Sequence, residues 1–106
     1  MADVRPDECI MNVAEDLQID KTQEGLDWLE NLRYTFDNLM KGRDRCLNMI
    51  NERLQEICKA AWNAQVMYEA GRLTNELKEI VGIDNAQIFF EGFISCLGVQ
   101  APEERP

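Results

Sequence analysis

The sequence predicts an all-α protein, a small antiparallel bundle or hairpin of three to four helices with one long central helix. Three observations carry this. Apolar residues recur three and four positions apart along most of the chain, and no run alternates long enough for a half-buried strand. Proline occurs only at Pro6, Pro102 and Pro106, so nothing between them forbids helix on that ground. Six glycines supply most of the punctuation, and the short connections they leave favour antiparallel neighbours.

The first expected helix covers 7–17, where Ile10, Val13, Ala14 and Leu17 share one stripe behind Pro6, Asp7 and Glu8. The second covers 21–41. Asp20 with Gln23 reads as a capping box, Thr22 competes as the cap, and Leu29, Leu32, Phe36 and Leu39 make the apolar face. Lys41 followed by Gly42 reads as its stop. The third covers 44–81. Leu47, Ile50, Leu54, Ile57 and Ala61 keep a seven-residue seam, which then shifts through Trp62, Val66, Ala70, Leu73, Leu77 and Ile80. Such a rod is about 55 Å long, against about 30 Å for a compact domain of this size, so it either breaks near Gly71 or projects and packs against a second chain. Apolar residues continue across Gly71 without turn chemistry, which favours the second outcome. The fourth covers 85–97: Gly82 ends the preceding helix, Asp84 with Gln87 reads as a capping box, and Ala86, Phe89, Phe90, Phe93, Ile94 and Leu97 form a broad face.

The 106 residues are expected to form one domain, 1–106, frayed over 1–6 and 99–106. Twenty acidic residues against eleven basic ones leave a charge of -9. Phosphate backbones are repelled by such a surface, so direct nucleic-acid binding is not expected; a protein partner with a basic surface is. The chain holds no apolar stretch long enough to span a bilayer and its first residues lack a secretory pattern, so a soluble, cytoplasmic protein is expected.

The four cysteines, Cys9, Cys46, Cys58 and Cys96, stand far apart beside apolar residues, and the chain has no histidine. Zinc-site spacings are absent, and reduced, largely buried thiols are expected. Without histidine the Ser-His and Cys-His nucleophile pairs cannot be built. Acid pairs at helical spacing remain: Asp27 with Glu30, Glu52 with Glu56, Glu76 with Glu79. Each puts two carboxylates on one helix face, and several such oxygens converging could hold Mg²⁺ or Mn²⁺. The competing role is the ordinary solvated helix pair, Glu76 with Arg72 and Glu56 with Arg53 or Lys59, each stabilising by only a few tenths of a kcal/mol.

The stretch from Met67 through Glu69, Glu76 and Glu79, followed by the helix beginning near Asp84, resembles the all-α nucleotide pyrophosphohydrolases of the MazG type. The resemblance covers less than a third of the chain. It implies a Mg²⁺-dependent enzyme in which an E-x-x-E pair and an E-x-x-D pair share metal, with Glu69, Glu76, Glu79 and Asp84 as ligands. Here Gln87 stands where the second pair requires an acid, and Asp84 lies closer to Glu79 than the family pattern has it.

Trp28, Tyr34, Trp62 and Tyr68 are the candidate partner-binding aromatics, with core or dimer packing as the competing role. Leu47, Ile50, Leu54 and Ile57 are the candidate dimer or core seam. The expectation is therefore a non-catalytic adaptor, regulator or inhibitor, homodimeric through its third helix and without a cofactor, that presents an acidic helical surface to a larger protein. One version is a viral-type inhibitor of a nucleic-acid-handling complex, mimicking phosphate charge. The alternatives are the Mg²⁺-dependent pyrophosphohydrolase and a structural coiled-coil subunit.

Overall fold

The computed structural model describes residues 15–99, and every regular element among them is helical, with no strand among the described residues. A 3-10 turn, Ile19–Lys21, leads into α1 (Gln23–Leu47), α2 (Glu52–Val81) and α3 (Ile83–Cys96). Most of the helix expected over 7–17 lies outside the described residues; Glu15 and Asp16 are helical and Leu17 begins a turn.

Thr22 decides where α1 begins. It is extended, and its hydroxyl accepts the Gly25 N–H at 3.0 Å, so this side chain and not an Asp20–Gln23 box supplies the cap. Gly25 is fixed by the same turn: a Cβ there would overlap the Ile19 carbonyl outright.

Gly42 does not stop α1, correcting the sequence expectation. The Trp62 ring of α2 lies over it, so closely that an added Cβ would sit 3.3 Å from Cδ1. The indole N–H of Trp62 donates to the Leu39 carbonyl at 2.7 Å. Glycine serves close approach here, not a turn. The turn comes at 48–51 instead. Asn48 donates its N–H to the Asp44 carbonyl and Met49 donates its own to that of Cys46, while the Asn51 side chain accepts the Leu54 N–H at 3.1 Å. The long helix therefore starts at Glu52 rather than Asp44. It runs unbroken through Gly71 to Val81, its 30 residues spanning about 45 Å.

Gly82, at φ 89°, closes α2 and opens α3 in one residue. α3 begins at Ile83, two residues before the expected start, and no side chain caps it, so the Asp84–Gln87 box does not form. Both residues lie within the first turns of the helix and not at its cap.

The core lies where the three helices meet. Leu29, Leu32, Phe36 and Leu39 of α1 face Val66, Ala70, Leu73 and Leu77 of α2 and Ala86, Phe89 and Phe93 of α3. Trp28, 4 % exposed, locks all three: its N–H donates to the Leu73 carbonyl at 3.0 Å and its ring meets Phe89 edge-on at 4.8 Å. Pairings of Trp28 with Leu73, Leu39 with Trp62 and Cys46 with Cys58 show that α1 and α2 run antiparallel. α3 has 14 residues, about 21 Å, and covers only part of α2. No residue of α2 before Val66 is fully buried.

The cysteines are a further correction. Cys46 and Cys58 form a disulfide with Cα atoms 5.6 Å apart, and Cys96 is also disulfide-bonded, so the expectation of reduced thiols fails for the described cysteines. Spacing in sequence hid the pair: a turn of four residues brings the end of α1 beside the second turn of α2.

Candidate functional site

The helix that dominates the chain is apolar on two opposite sides. Val66, Ala70, Leu73 and Leu77 point into the core. At 100° per residue, Leu54, Ile57, Ala61, Ala64 and Tyr68 lie about 180° around the helix from them. All five are exposed, the three large ones at 56 %, 59 % and 67 %. Their spacing of three, four, three and four is that of a coiled-coil seam, and Gly71 extends it with open space around its α-carbon. A helix with apolar residues on all sides is normally buried on all sides, whereas this one is buried on one.

The seam expected from Leu47 to Ile57 is thus split. Leu54 and Ile57 belong to α2, while Leu47 ends α1 and Ile50 sits in the turn, 98 % exposed. None of the four is core, which removes that half of the expectation. Sequence reasoning missed the extension through Ala64, Tyr68 and Gly71, although the same three-four spacing marks it.

The four aromatics part company. Trp28 is in the core and Trp62 is half-buried over α1, each spending its N–H on a backbone carbonyl of the facing helix, so neither ring is presented to a partner. Tyr34 and Tyr68 are exposed. Tyr34 stands on the outward face of α1 among the exposed acids Asp27, Glu30 and Asp37.

Acids proposed for metal are otherwise engaged. The Arg72 guanidinium donates to Glu69 at 3.0 Å, lies 3.5 Å from Glu76, and donates to the Thr35 hydroxyl at 3.0 Å. The hydrogen bond to Glu69 raises the Arg72 pKa above its already high value; burial opposes it, and the charges of Glu69 and Glu76 add to the rise. Arg72 is therefore a fixed cation tying α2 to α1. Glu76 also accepts from Asn31 of α1 at 3.3 Å. Glu79 and Asp84 are exposed, and among the described residues no group of three or more His, Cys, Asp and Glu is placed to hold an ion. The convergence that the pyrophosphohydrolase resemblance requires of Glu69, Glu76, Glu79 and Asp84 is not formed.

Beside the exposed seam, an open groove of about 610 Å³ runs between α2 and α3, walled by Tyr68, Gly71, Asn75, Gln87 and Phe90. Tyr68, Arg72 and Lys78 are its titratable lining residues, and no carboxylate is among them. Among the described residues no helix is long and apolar enough to cross a membrane. Compared with known proteins, the chain matches no family model, no curated protein and no solved structure.

Proposed function

We propose that this chain is a non-catalytic protein-binding adaptor, regulator or inhibitor, built as a small antiparallel bundle around α2. The observation that supports the reading most is the second apolar face of α2: a helix of this kind needs neighbours on two sides, and the described chain supplies one. Large aliphatic and aromatic side chains exposed in register, and not singly, are the usual mark of a docking surface. The outward face of α1, with Tyr34 among carboxylates, gives the same molecule an acidic surface suited to a basic protein. The disulfides favour an oxidising compartment over the cytoplasm first expected.

A photo-cross-linking residue at Ile57, in the chain expressed in its native host, tests this. Discrete protein adducts that vanish when Tyr68 and Leu54 are changed to Glu support it. A smear no stronger than that from a residue on the polar flank, such as Glu56, refutes it.

A further inference from the structure

We infer that the occupant of the outward face of α2 is a second copy of this chain, lying antiparallel about a two-fold axis between Trp62 and Asn63. The inference rests on the reading of that face as a docking surface and names what docks there.

Self-complementarity is the first support. A two-fold axis relates residues whose numbers have a constant sum, because each copy presents the same patch to the other. Along the seam that sum is 125, which sets the axis between Trp62 and Asn63: Leu54 meets Gly71 of the second copy, Ile57 meets its Tyr68, and Ala61 meets its Ala64. Nothing lies within 4 Å of an added Cβ at that glycine, so the bulk of Leu54 has room. A large side chain thus meets the smallest one at both ends, and the two alanine pairs flank the axis. A parallel pairing would instead stack Tyr68 on Tyr68 between voids at Ala64 and Gly71.

Charge is the second support. In a chain of net charge -9, only Glu56 and Glu69 are acidic between Leu54 and Asn75, and both project from the flanks of α2, about 100° or more from the seam's centre line. A strip free of carboxylates is what two like-charged copies require to touch. A basic partner would gain nothing from it and would find its acids on α1. The strip from Leu54 to Gly71 is about 26 Å long and about one helix wide, well below a standard interface, so the dimer is weak and reversible, with a dissociation constant in roughly the micromolar range.

Sedimentation equilibrium of the purified chain, combined with cysteine pairing, tests the inference. We expect a monomer–dimer equilibrium that Ala61→Glu weakens by more than about tenfold, at unchanged helical content, by placing a carboxylate in the apolar contact on each side of the axis. Raising NaCl from about 50 to about 500 mM tightens the dimer, because salt screens the repulsion between two acidic copies. Under oxidation, Ala61→Cys links to Ala64→Cys and Leu54→Cys links to Gly71→Cys on mixing, while Leu54→Cys alone does not. A chain monomeric at its highest soluble concentration overturns the inference, as does Leu54→Cys pairing with itself, or a dimer loosened by salt. If the pure chain is monomeric while Ile57 still cross-links another host protein, the docking surface stands and the second copy falls. If neither forms, both fall.

Discussion

Replacing Cys46 and Cys58 together with alanine should cost about 3 to 4 kcal/mol, more than any surface change in this chain. The two residues are 12 apart in sequence, and closing so short a loop removes roughly 10 cal/mol/K from the unfolded chain, about 3 kcal/mol at room temperature. Cys46 is buried and Cys58 half-buried, so losing two sulfur atoms adds up to about 1 kcal/mol from packing. With a urea m-value of about 1.5 kcal/mol/M, the midpoint falls by about 2 M. The m-value itself should rise, because the unfolded chain is no longer held compact. Amide exchange should show the same loss: the core amides at 66–77, which open only with the whole chain, lose protection by the full amount, as do those at 44–60. A midpoint within 0.5 M of the parent, taking about that as the error of extrapolation, would refute the reasoning. So would exchange that accelerates only at 44–60, since the staple would then be acting locally and not through the unfolded chain.

Four further substitutions probe the fold. Gly25→Ala forces a methyl group into the Ile19 carbonyl and should cost about 3 kcal/mol by thermal unfolding, whereas Gly71→Ala, with open space around it, should raise stability by about 0.5 to 1 kcal/mol. Trp28→Phe keeps a ring against Phe89 but removes the N–H given to Leu73; a loss of about 2 kcal/mol in urea is expected, and a neutral result would show that the bond adds nothing. Thr74→Val should stabilise by about 1 kcal/mol, because the Thr74 hydroxyl is buried with no hydrogen-bond partner; a fall in melting temperature would mean the hydroxyl is satisfied after all.

The helical class and most core residues were legible in the sequence because one period governs them: Leu29, Leu32, Phe36 and Leu39 are buried at the spacing that announces them. The breaks were harder to read. Glycine was taken as punctuation at Gly42, where it makes room for Trp62. The real turn carries no glycine or proline and is made by two asparagines, one capping α2. Apolar residues at Leu47 and Ile50 kept the heptad going straight through it, so α1 and α2 read as overlapping one rod. The docking face was half legible for a related reason. Its spacing is visible, but periodicity alone cannot say which of two apolar stripes on one helix faces the core. That depends on where α1 and α3 lie, which is tertiary information.

The same geometry explains why the disulfide and the exposed seam occur at one end. Between Glu52 and Gln65, α2 packs on α1 and meets only the end of the third helix, where Leu97 and Gly98 line a pocket with Lys59, Trp62 and Asn63; every α2 residue buried in the three-helix core is at Val66 or beyond. Two helices in contact exclude far less water than three, so hydrophobic burial alone holds this end of the hairpin weakly. Specific devices compensate: the Cys46–Cys58 bond, the Trp62 N–H on the Leu39 carbonyl, and the Gln55 amide, which donates to the Cys46 carbonyl at 3.2 Å. Each fixes α2 to α1 without covering the outward side of α2. A third helix of this chain laid over Leu54 and Ile57 would stabilise the same end without any staple, but it would also close the face. A covalent tie is the means by which a small chain can hold two helices rigid and still leave an apolar surface open to a second molecule.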